Sequence, residues 1–100
     1  MVKEKKEKKI GKITHYFTKI EVGIIKLTSS LVVGEIIHIK GHTTDFEQTV
    51  ESIQINHKEV KKAGKGKEIG FKADEPVREG DEVFKVPVKW FEKITEQIFL

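Results

Sequence analysis

Cysteine is missing from this 100-residue chain. Its absence excludes a disulfide framework, a thiolate zinc site and a cysteine nucleophile. Arginine is nearly missing too, with Arg78 the only one, so the bidentate phosphate and base contacts that arginine favours have little to draw on. No stretch approaches the ~20 apolar residues of a membrane span. The Lys/Glu-rich start has no apolar segment of the signal-peptide kind. These absences lead us to expect a soluble protein of the reducing cytoplasm. Asn occurs once, Met once and Gln three times, while charged residues make up 35%, mostly Lys and Glu. That balance is thermophile-like, since ion-pair networks gain value with temperature.

The net charge of +3 is unevenly placed. Residues 1–9 carry five Lys and two Glu, which accounts for all of it. Residues 10–100 carry 14 basic and 14 acidic groups and are neutral. The expected organisation is therefore a flexible charged tail over 1–9, one β-barrel domain over 10–86 and a C-terminal amphipathic helix over 87–100. A chain of this length forms one domain.

One motif occurs twice. Leu31-Val32-Val33-Gly34-Glu35-Ile36-Ile37 and Val77-Arg78-Glu79-Gly80-Asp81-Glu82-Val83 both read apolar, two spacers, Gly, acid, spacer, apolar. Glycine supplies a positive φ for a tight turn, and the alternation behind it marks a half-buried strand. Period-two patterns predict strands over 10–17, 21–27, 35–40, 46–55, 68–73 and 82–86. Ile13 and Phe17 are expected to share a face, with Tyr16 on the other. Ile37 and Ile39 point inward, with His38 outward. The parity change between Val50 and Ile53 suggests a bulge near Glu51-Ser52. After Pro87, the residues Trp90, Phe91, Ile94 and Ile98 fall on one helical face that needs a partner.

Little here points to catalysis. Among the four histidines, His15 reads as a hydrogen-bonded residue at a barrel end. His38 and His42 would need His57, Asp45 or Glu47 to converge before they could hold zinc, so no metal site and no cofactor are expected. Asp74-Glu75 and Asp81-Glu82 lie in a turn, and neighbours on an extended chain point to opposite sides. Ser29-Ser30 has no convincing base, so we expect no enzyme. Gly64-Lys65-Gly66-Lys67 lacks the strand and helix that shape a phosphate loop, and GTP binding is not expected. The basic stretch with Lys58, Lys61, Lys62, Lys65 and Lys67 is the candidate RNA-binding surface. Trp90, Phe91, Ile94 and Ile98 form the candidate partner-binding face.

Gly23-Ile24-Ile25-Lys26-Leu27, Leu31-x-x-Gly34-Glu35-x-Ile37-x-Ile39-x-Gly41, the Val50–Ile55 strand, Gly66-x-x-Ile69-Gly70-Phe71 and Val77-x-x-Gly80-Asp81-x-Val83 occur in an order that resembles a known barrel. It is the second domain of translational GTPases such as elongation factor Tu. The chain looks most like stand-alone elongation-factor-like proteins. It is also similar to the accessory barrel at the C-terminus of some collagenase-like peptidases. The first resemblance implies an all-β, closed six- to seven-stranded barrel and a non-catalytic module that binds tRNA, the ribosome or a translation-related protein. The second implies an accessory domain that binds protein through a barrel edge or the C-terminal helix.

Overall fold

The computed structural model describes residues 7–87. Their regular structure is all β, and none of them forms a helix long and apolar enough to cross a membrane. The strands are β1 (Lys8–Phe17), β2 (Val22–Leu27), β3 (Leu31–Val32), β4 (Ile36–Lys40), β5 (Asp45–Thr49), β6 (Ile53–Ile55), β7 (Lys58–Val60), β8 (Lys62–Ala63), β9 (Glu68–Lys72) and β10 (Glu82–Val86). Eight form one antiparallel sheet in the order β5-β4-β10-β1-β2-β9-β6-β7, and β3 pairs with β8 separately.

Alternation supplies the core. On β4, Ile37 and Ile39 are fully buried while Ile36 and His38 lie on the other side. Ile25 and Leu27 of β2, Ile69 and Phe71 of β9 and Val83 of β10 meet them. Each such side chain contributes roughly 1.5–3 kcal/mol by leaving water. Gln48 is the polar exception on the inner side of β5. Its amide donates to the Lys72 carbonyl at 2.8 Å and accepts from the Asp74 N–H at 2.8 Å, tying β5 to the end of β9.

The repeated motif builds the same device twice. Gly34 and Gly80 sit at φ 101° and 93°, in third positions where a type II turn needs a positive φ. The acid that follows closes each turn in two ways. Its N–H donates to the carbonyl three residues back, Glu35 to Val32 and Asp81 to Arg78, both at 3.1 Å. Its carboxylate accepts the N–H of that same residue, at 2.8 Å from Val32 and 2.9 Å from Arg78. Each turn then grips one core residue by a reciprocal pair of backbone bonds. Gly34 donates to Val50 and Val50 donates to Glu35, while Gly80 donates to Ile13 and Ile13 donates to Asp81. Val50 and Ile13 are both buried.

That grip corrects the expected barrel. The expected strand over 46–55 is divided at Val50, because the chain leaves the ladder there to bond with the Gly34-Glu35 turn. β6 then pairs with β7 and β9, and the main sheet ends at β5 and β7 without closing. Ten strands are described rather than six or seven. The basic stretch read as a connection contributes β7 and β8. A two-residue turn, Asn56-His57, makes the β6–β7 hairpin, with both residues at positive φ as a type I′ turn requires.

The first strand also differs from expectation. It begins at Lys8, so Lys8 and Lys9 are sheet rather than tail. Register shifts between Lys9 and Gly11 and between Ile13 and His15 change the parity of β1. Tyr16 therefore packs against the core, and Phe17 turns outward. The rest of the expected tail (1–6) and the helix expected over 87–100, apart from Pro87, lie outside the described residues.

Candidate functional site

Among the described residues, a histidine and three carboxylates gather on the outer side of β4 and β5. Pairing puts His38 of β4 opposite Glu47 of β5, and opposite Phe84 of β10 on its other flank. Asp45 lies two residues from Glu47 on the same side of β5. Glu7, just before β1, reaches the same point. His38 Nδ1 is 2.8 Å from Glu7 Oε1, and Nε2 is 2.5 Å from Asp45 Oδ1. The Phe84 ring lies 6.4 Å away, centroid to centroid, as an apolar flank. Burial by itself lowers the His38 pKa. Hydrogen bonds to Asp45 and Glu7, reinforced by the charge of both carboxylates, outweigh it and raise the group above 6.5. Asp45 is lowered, first by its hydrogen bond to His38 and further by the charges of His38 and Lys40.

A second feature is an open apolar groove of about 620 Å³ on the outer side of β1, β2, β6 and β9. Phe17 and Ile20 line it and are 45% and 59% exposed. Val22 and Ile24 form its floor, and Gln54, Asn56 and His57 edge it. Phe17 is outward because of the β1 register shift, and Ile20 sits in the turn between β1 and β2.

The sequence-selected residues fall as follows. Lys58, Lys61, Lys62, Lys65 and Lys67 are all exposed, spread over β7, the bend after it, β8 and the turn before β9. Trp90, Phe91, Ile94 and Ile98 lie outside the described residues. His15 is an exposed residue that contacts the Thr14 carbonyl at 3.1 Å and Glu79 at 3.4 Å. The convergence that the histidines would require happens in part, since Asp45 and Glu47 come to His38 while His42 and His57 are not in the group. Asp81 and Glu82 separate as expected, the first buried in its turn and the second paired with Lys9 at 3.0 Å. Sequence reasoning missed Glu7, which reads as tail, and the groove. An isoleucine within a polar turn, Thr18-Lys19-Ile20-Glu21, was the available signal for the latter.

No protein-family model matches the chain. It is 43% identical over 76 residues, 75% of its length, to an uncharacterized protease of Methanocaldococcus jannaschii. The matched part is 19% of that protein, so the chain spans about a fifth of the relative's length. Among solved structures it is similar to the C-terminal domain of a Geobacillus thermoleovorans protein named as a U32 peptidase. The TM-score is 0.72 at 18% identity, covering 76% of this chain and 89% of that one. The selenomethionine form of the same domain gives 0.73 at 16% identity, covering 76% and 96%. These likenesses overturn the translation-factor resemblance, and with it the tRNA- and ribosome-binding module. What this chain is similar to is a peptidase's C-terminal domain.

Proposed function

We propose that the chain is a non-catalytic accessory module of the kind carried at the C-terminus of U32 peptidases, and that it works by binding protein. The observation that carries this reading is the 43% identity to a protease over a stretch amounting to only 19% of that protease. The fold likeness to an isolated C-terminal domain supports the same reading. The side-chain chemistry agrees with it, since His38 bonds carboxylates and His15 a carbonyl rather than a serine or threonine hydroxyl. The apolar groove at Phe17 and Ile20 is the surface that suits protein contact, because scattered apolar residues are ordinary but a lined concavity is not.

The test uses the Methanocaldococcus protease lacking its matched 76 residues. This chain, added in trans, should bind the truncated protease in calorimetry, and Phe17→Ser with Ile20→Ser should weaken the complex. Alone, the chain should leave gelatin intact. Gelatin hydrolysis by the purified chain sinks the non-catalytic reading, and failure to bind the truncated protease sinks the docking role.

A further inference from the structure

Three carboxylates surround one imidazole on the outer side of β4 and β5. One ligand atom each from Glu7, His38 and Glu47 lies within 4.8 Å of the other two. Metal–ligand bonds of about 2.0–2.2 Å place two donors at most about 4.4 Å apart, so small side-chain rotations close the set on one ion. The two ring nitrogens of His38 face different groups, Nδ1 toward Glu7 and Nε2 toward Asp45.

We propose that Glu7, His38 and Glu47 form a site for one divalent transition-metal ion of the zinc class, with Asp45 orienting the imidazole. Nε2–H donates to Asp45, which leaves the Nδ1 lone pair directed at the ion. That is the carboxylate–histidine–metal arrangement, in which the second carboxylate fixes the tautomer and raises ligand basicity. Binding to the protonated histidine releases its Nδ1 proton to solvent. One nitrogen and two carboxylate donors suit Zn²⁺ and its neighbours better than Mg²⁺ or Ca²⁺, which take all-oxygen sets. Three protein ligands leave a position for water. The ligands come from three places, the residue before β1, β4 and edge strand β5, so an ion there joins the entry of the chain to the sheet edge.

The full chain, stripped with chelator, is titrated with ZnCl₂ and separately with MgCl₂ by calorimetry. One Zn²⁺ should bind per chain, Mg²⁺ should not compete, and the melting temperature should rise with Zn²⁺. His38→Gln should abolish binding, and Asp45→Asn should weaken it by about 10–100-fold, the usual effect of losing such an orienting partner. These side chains lie outside the core, and metal-free circular dichroism checks that each variant folds. Glu47→Gln is the second variant, expected to bind more weakly than the parent. Absence of saturable Zn²⁺ binding overturns the proposal. So does binding unchanged by His38→Gln, which would assign it to side chains outside this group.

Discussion

Replacing Asp81 by alanine tests whether the Gly-acid turn depends on its carboxylate. The side chain is 4% exposed, and Oδ2 accepts the Arg78 N–H at 2.9 Å. A hydrogen bond to a charged group contributes about 1.5–3 kcal/mol net, and loss of a comparable capping side chain costs ~0.5–2 kcal/mol. The backbone bonds between Ile13 and the turn survive the substitution, so we expect a loss of about 2 kcal/mol, in the overlap of those ranges. The equivalent change at Glu35 should cost less, about 1 kcal/mol, because its half-buried site lets solvent screen the bond more than at Asp81 and the Lys85 partner at 3.4 Å adds little. Asp81→Asn keeps an acceptor oxygen and should lose about half as much as Asp81→Ala, since neutral acceptors are roughly half as strong. Urea denaturation followed by far-ultraviolet circular dichroism measures all three. A melt should show Asp81→Ala lower by about 8–16 °C, at ~4–8 °C per kcal/mol for a domain this size. If Asp81→Ala lies within the error of the parent, or Asp81→Asn is as damaging as alanine, the carboxylate is not what closes the turn.

Other substitutions probe separate parts of the fold. His57→Gly should stabilise the protein by about 1 kcal/mol, because His57 holds φ 65° in the β6–β7 turn where a side chain costs ~1–2 kcal/mol. An unchanged or lower melting temperature would contradict that. Gln48→Leu strands the Lys72 carbonyl and the Asp74 N–H, and should cost about 1–3 kcal/mol by chemical denaturation. In chelator, the His38 cluster should make stability depend on pH from both sides. The raised His38 pKa gives a contribution complete below 6.5 and lost as pH rises through the folded value. The lowered Asp45 pKa gives one present above 3.8 and lost as pH falls through the folded value. The parent should therefore lose more melting temperature than His38→Gln between pH 5.5 and pH 8.5, taken as about a unit or two either side of an ordinary histidine. Equal losses in the two proteins would remove His38 as the cause.

Much of the sheet is legible in the residues. Period-two patterning over 22–27, 36–40, 68–72 and 82–86 delimits β2, β4, β9 and β10 to within a residue, because one side of each faces a single core. What escapes is set by pairing between distant segments. The parity change in β1 that exchanges Tyr16 with Phe17 exists only because β2 and β10 fix its register on both flanks. The parity change between Val50 and Ile53 marks an irregularity there, but the full break follows from bonds to Gly34 and Glu35 that no local pattern shows. Closure was an implication of the translation-factor resemblance, and the open order of the sheet is likewise set by long-range pairing. At the candidate site, the outward placement of His38 was readable, but the arrival of Glu7 was not. A glutamate in a lysine-rich lead is indistinguishable from its neighbours until β1 is found to begin at Lys8.

The pairing of β1 with β10 also decides how the domain responds to force. Lys8 lies opposite Lys85, so the described chain enters and leaves at one end of the same antiparallel ladder. Tension applied through both ends loads the rungs in succession rather than together. The Lys8–Lys85 rung opens first, then Lys9–Phe84, and the Glu7–His38 contact lies at that same opening. A tethered copy should unzip at low force, with any cation bridging Glu7 to His38 acting as a clasp on the first rung.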